Sequence, residues 1–80
     1  MNLKPIVTEK AVMMIEAQNV LVFETNKKMT KEQIKKEIEN LFKVRIEKIR
    51  TLIKKNKKYA YIKLEKEFPA IDIATKLGII

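Results

Sequence analysis

An α+β fold is what this sequence predicts: a small mixed or antiparallel sheet of three to four strands in a split β-α-β arrangement, covered by helices, with a basic β-hairpin. Three observations predict it. Short β-branched and aromatic runs occupy 20–25, 44–53 and 58–64. A helical segment with an N-terminal capping box, Thr30-Lys31-Glu32-Gln33, separates the first run from the other two. The last two are joined by a short lysine turn, which reads as a hairpin. Eighty residues with neither repeat nor linker make a single domain, 1–80.

In chain order, Thr8 followed by Glu9 to Ala17 reads as a short helix, with Thr8 as N-cap and Glu9 at the positive end of the dipole. It should stop near Asn19. Val20 to Thr25 is too short and too uniformly apolar for a surface helix, so it is expected as a strand buried on both faces. After a loop at 26–29, the capping box opens a helix to about Phe42, whose Ile34, Ile38, Leu41 and Phe42 form one apolar stripe. Glu32 with Lys36 and Lys35 with Glu39 are expected as i,i+4 pairs on its outer side. In the run 44–53 the apolar parity changes between Ile46 and Ile49. A bulge near Glu47-Lys48 would bring Val44, Ile46, Ile49, Thr51 and Ile53 onto one face.

Lys54-Lys55-Asn56-Lys57 turns the chain without glycine, and Asn56 is the residue best suited to positive φ. In 58–64, Ala60, Ile62 and Leu64 point one way and Tyr59, Tyr61 and Lys63 the other. Pro69 suits the first turn of a last helix over 70–77, with Ile71, Ala74 and Leu77 as its stripe and Gly78 as its stop. The order is helix, strand, helix, strand, strand, helix. A right-handed crossover from 20–25 to 44–53, with the hairpin's return strand between them, closes a small mixed sheet.

Composition excludes much chemistry. Without Cys or His the usual zinc, iron-sulfur and blue-copper ligand sets cannot form, and there is no serine nucleophile. Gly78 is the only glycine, which rules out the two glycine-dependent phosphate cradles, and Asp72 the only aspartate. Glu32, Glu37 and Glu39 lie between lysines on a charged helix face. A chain this small also has little room for an enclosed cavity. We therefore expect no enzyme activity, no cofactor, no metal and no small-molecule substrate. The longest apolar run, Ala11 to Ile15, is far too short to cross a bilayer, so we expect a soluble, unexported protein with no membrane insertion.

Charge is segregated. The chain carries 18 Lys+Arg against 10 Asp+Glu, and the whole surplus of +8 lies between Lys43 and Lys63, where Glu47 is the only acid. Elsewhere acids and bases balance. A local positive field of this kind suits a polyanion. Four hairpin lysines, Lys54, Lys55, Lys57 and Lys58, accompany Arg50, Tyr59, Tyr61 and Lys63, which combines phosphate-seeking groups with aromatic faces. Lysine does not read base edges well, so recognition of backbone and shape is expected. The plain alternatives are a solvated turn and ordinary sheet packing for the tyrosines. Met13 and Met14 are expected in the core.

Lys4-Pro5-Ile6-Val7-Thr8-Glu9-Lys10-Ala11, Thr30-Lys31-Glu32-Gln33-Ile34-Lys35, Leu41-Phe42-Lys43-Val44, Thr51-Leu52 and Ala60-Tyr61-Ile62-Lys63-Leu64 together resemble the universal large-subunit ribosomal protein twenty-three family. The resemblance covers nearly the whole chain. The short lysine turn matches the archaeal-type form, since the bacterial form extends a long loop there. Arg50 stands where the family often has Asn, and Tyr59 replaces the second of two lysines before Ala-Tyr.

The resemblance implies a structural protein of the large ribosomal subunit. It would bind large-subunit rRNA, neighbour other ribosomal proteins at the polypeptide tunnel exit, and form part of the docking site for the signal recognition particle or nascent-chain factors. In bacterial relatives the glutamate of the Ser/Thr-Glu-Lys motif contacts an exit-site chaperone. Archaeal-type ribosomes lack that chaperone, so the matching Glu9 carries over only a docking role. The expected rRNA-binding set is the hairpin residues named above, with Lys63 left out, plus Lys4, Thr8, Lys10, Lys27, Lys28, Lys31, Lys35 and Thr51. The rival function is a small module whose basic hairpin binds an acidic protein.

Overall fold

Side-chain caps decide where the two longer helices begin. In the computed structural model, which describes residues 3–79, Thr8 Oγ1 accepts from the Ala11 amide at 3.1 Å. Thr30 Oγ1 accepts from the Gln33 amide at 3.2 Å, while the Thr30 amide donates to Gln33 Oε1 at 2.9 Å, completing the capping box. The elements are β1 (Leu3–Pro5), α1 (Glu9–Gln18), β2 (Val20–Thr25), α2 (Lys31–Phe42), β3 (Ile46–Lys54), β4 (Lys57–Leu64) and α3 (Ala70–Lys76).

The four strands lie in the order β1-β2-β4-β3. β4 sits between β2 and β3, as the split β-α-β arrangement requires. Every neighbouring pair is antiparallel, so the sheet is antiparallel rather than mixed. The expected bulge is present, as a register shift between Ile46 and Lys48. Beyond it Ile49 faces Ile62 and Thr51 faces Ala60, which returns the apolar set to the core side.

One sheet face makes the core. Leu21 and Phe23 of β2 and Ala60, Ile62 and Leu64 of β4 pack with Ile34 and Ile38 of α2 and with Ala70, Ile73 and Ala74 of α3. Each large side chain hidden here stabilises the fold by roughly 1.5–3 kcal/mol. Val20 and Val22, of opposite parity, are buried as well, so β2 is covered on both faces as expected.

Several expectations are corrected. The first element of the described residues is a short edge strand, β1, whose Leu3 enters the core; three residues ending in Pro5 carry too little pattern to announce a strand. Leu41 lies half exposed at 52%, outside the stripe of Ile34 and Ile38. In α3 the buried set is Ala70, Ile73 and Ala74, and Ile71 turns outward. Met13 is exposed and Met14 only partly covered, because Ala11 and Ile15 are the α1 residues that face inward.

Neither helical i,i+4 ion pair forms among the described residues. Glu39 instead accepts from the Ile46 amide at 3.0 Å and satisfies the start of β3. α3 has no side-chain cap of its own, and Asn19 supplies one. Asn19 ends α1 at φ 58°, its Oδ1 accepts from the Ala70 amide, and its Nδ2 donates to the carbonyls of Leu64 (3.1 Å) and Phe68 (3.2 Å). One residue thus joins the end of α1, the exit of β4 and the start of α3.

Candidate nucleic-acid interface

The hairpin turn is a two-residue loop with both central residues at positive φ, Lys55 at 50° and Asn56 at 65°. Asn56 was the residue expected there, and Lys55 joins it because the type I′ geometry demands both. The turn sets Lys54 opposite Lys57, and every later pair follows: Leu52 faces Tyr59 and Arg50 faces Tyr61. Lys54, Leu52, Arg50, Lys57, Tyr59, Tyr61 and Lys63 therefore share the sheet face opposite the core. Lys4 and Glu24, paired across β1 and β2, lie on that same face beyond Tyr59.

Beside this face runs α1, and between them lies an open groove of about 580 Å³. Thr8, Lys10, Ala11 and Met14 line its helical side, Leu52, Lys54, Lys55, Lys57, Tyr59 and Tyr61 its ribbon side, and Val22 lies between. Two adjoining depressions share Met14 and Tyr61 with it. One extends to Val20, Lys48, Arg50 and Lys63, the other to the β3 edge at Thr51 and Lys31. Every charged side chain lining the three is lysine or arginine.

Two contacts shape this surface. The Arg50 guanidinium lies over the Tyr61 ring, 5.9 Å from its centre, which holds a cation against an aromatic face. Lys57 Nζ approaches Glu24 Oε1 at 3.7 Å, a loose pair with the lysine open to solvent and the glutamate partly covered, worth little. Among the described residues it is the one salt bridge, so the other groove cations have no carboxylate partner there.

The structure divides the expected site residues. Thr8, Lys10, Arg50, Lys54, Lys55, Lys57, Tyr59 and Tyr61 come together at the groove system. Lys58 belongs to the other face of β4, where it is half-buried and its Nζ donates to the Met29 carbonyl. Thr51 faces Ala60 on the core side of the sheet and reaches the groove system only at the β3 edge, with Lys31. Lys27 and Lys28 sit in the loop after β2, and Lys27 Nζ donates to Asn56 Oδ1 at 2.7 Å, tying that loop to the hairpin tip. Lys35 is exposed on α2 and lines none of the three depressions. Glu9 is exposed on the first turn of α1, with Met13 (67% exposed) one helical turn away and Val7 (59% exposed) just before the helix.

Sequence reasoning missed Met14, Val22, Leu52 and Lys48 as parts of this surface. The signal for Leu52 was available. Counting back from a two-residue turn places it opposite Tyr59.

The match of this chain to known proteins is extensive. The family model for ribosomal protein L23 matches residues 1–72. The large ribosomal subunit protein uL23 of Picrophilus torridus is 43% identical over 77 residues, 96% of this chain and 94% of its own length.

Proposed function

The chain belongs to the ribosomal protein L23 family, and from that premise we propose that it binds large-subunit rRNA through the groove and hairpin just described. It is a structural protein of the large ribosomal subunit, a cytoplasmic particle. The observation that carries the rRNA-binding reading is the lining of the groove system, where every charged group is cationic and nearly all of them are free of carboxylate partners. Lys54, Lys55 and Lys57 project from a hydrogen-bonded two-stranded ribbon, which sets their backbone positions before they meet phosphates. Lys10 and Thr8 add contacts from α1, and Lys27, Lys28 and Lys31 extend the basic surface around the hairpin base. Lys4 and Lys35 act as outlying contacts, and Lys58 supports the ribbon through Met29.

The docking side of the function falls to the outer face of α1. Glu9, Val7 and Met13 make an exposed patch of acidic and apolar character, apart from the cationic groove. This patch supports a docking role at the tunnel exit that the family resemblance implies, with rRNA holding one side of the protein and neighbouring ribosomal proteins, the signal recognition particle or nascent-chain factors meeting the other.

Salt dependence tests the rRNA assignment. Binding to a large-subunit rRNA fragment should weaken steeply with salt. Replacing Lys54, Lys55 and Lys57 together by Gln should flatten the log-log slope by about 2 units, on the scale of about 0.7–0.9 per phosphate neutralised. An unchanged slope rejects the groove as the binding site.

A further inference from the structure

We propose that the groove between α1 and the tyrosine face takes an unpaired stretch of RNA, with bases lying on its apolar floor and phosphates along its cationic rim. The proposal rests on the rRNA-binding reading and narrows it, from rRNA in general to nucleotides that have left the helical stack.

The floor is what separates the two. A duplex offers phosphates and 2′-hydroxyls outward and keeps its bases stacked inside, so it can use a basic rim but has nothing to lay on apolar surface. Here Val22, Leu52 and Met14 combine with the half-buried rings of Tyr59 and Tyr61, and lysines surround them. The volume of about 580 Å³ lies in the range of sites that hold a small organic molecule, which suits a nucleotide rather than a bare phosphate.

Spacing points the same way. Tyr59 and Tyr61 are two residues apart on one strand and leave the sheet on the same side, so the backbone sites that carry their rings repeat at about 7 Å, roughly twice the interval of stacked bases. Bases resting on successive rings are splayed, as a single strand allows and a helix forbids. The Arg50 guanidinium, over one face of the Tyr61 ring, adds a planar cation at that end of the groove. From Lys57 to Lys63 the face extends about 20 Å, enough for about two or three bases, as on other four-stranded RNA-binding sheets. An acidic peptide would match the rim but leave two adjacent rings without a flat partner.

The chain has two tyrosines and no tryptophan, so both tyrosine ring systems report on this groove alone. The test titrates the full chain with a short unstructured oligoribonucleotide and with an RNA duplex of equal phosphate count, reading tyrosine ring protons by NMR and affinity by fluorescence anisotropy. We expect upfield ring shifts with the single strand only. Tyr59→Ala and Tyr61→Ala should each weaken single-strand binding about tenfold and leave duplex binding unaltered, while Tyr61→Phe recovers most of the loss of Tyr61→Ala.

Ring resonances that stay in place at saturation overturn the proposal, as does an equal loss on the duplex or displacement of the strand by an acidic peptide of the same net charge. The ring shifts are read on the unsubstituted chain, so the test survives a variant that fails to fold. If the Lys54, Lys55 and Lys57 variant loses both RNAs while the tyrosine variants lose neither, only the single-strand assignment falls. If that lysine variant binds both RNAs as tightly as the parent, the rRNA-binding reading itself falls.

Discussion

The two faces of β4 differ in almost everything except their backbone. On one side Ala60, Ile62 and Leu64 are sealed beneath helices, and on the other Tyr59, Tyr61 and Lys63 lie partly or wholly open along a cationic groove. Period-two alternation lets a single strand serve both, since adjacent residues share hydrogen-bonded backbone but no environment. Stability and recognition are thereby assigned to different residues of the same strands. β3 shows the same division less completely. Past its bulge it carries Ile49 and Thr51 inward and Arg50 and Leu52 outward, but its tip extends beyond helical cover, leaving Ile53 61% exposed.

Substitutions on the core face should therefore cost stability and leave the RNA salt slope alone. The largest effect is expected for Phe23→Ala. Its ring is fully buried at the centre of the sheet, and its loss should destabilise the chain by about 3–5 kcal/mol in urea unfolding followed by circular dichroism. A cost under about 1 kcal/mol would break the comparison, because the sheet would then not depend on its covered side.

Asn19→Ala should come next, at about 2–4 kcal/mol. It removes the bonds to Leu64, Phe68 and Ala70 and places an alanine at φ 58°. Asn19→Gly keeps the left-handed conformation without strain and loses only the bonds, so its smaller deficit separates the two contributions.

The smallest effect sharpens the other side of the comparison. Glu24→Gln breaks the loose, partly exposed pair with Lys57, which should change stability by less than about 0.5 kcal/mol. It also frees one lysine at the groove rim. RNA affinity should rise about twofold and the salt slope should steepen by up to about 1 unit in the same anisotropy assay. Weaker RNA binding on this substitution would argue that Glu24 helps to position the ribbon rather than competing for it.

Much of this was legible in the chain itself. The capping box, the Thr8 cap, the bulge and the alternation along β4 rest on local chemistry or on a short turn, and each is present as read; the placement of β4 between β2 and β3, read from the handedness of the crossover, is present too. The segregated charge was equally plain, since lysines on a hairpin with no nearby acids have few places to go. Where reading by periodicity failed, the helical pattern admitted more than one inward face. Leu41 and Ile71 fit an apolar stripe, but the sheet covers only the side presented by Ile34 and Ile38 in α2 and by Ile73 and Ala74 in α3.

Local sequence determined which segments become helix, strand and turn, and which residues of each strand share a side, because caps, alternation and turn chemistry act within a few residues. Tertiary structure alone decided that α1 lies beside the tyrosine face and makes a groove of it. It also directed Lys58 to Met29 and made Asn19 the cap of a helix 51 residues away. These depend on contacts between segments distant along the chain, whose partners are set by how the sheet is covered and not by any spacing within a segment.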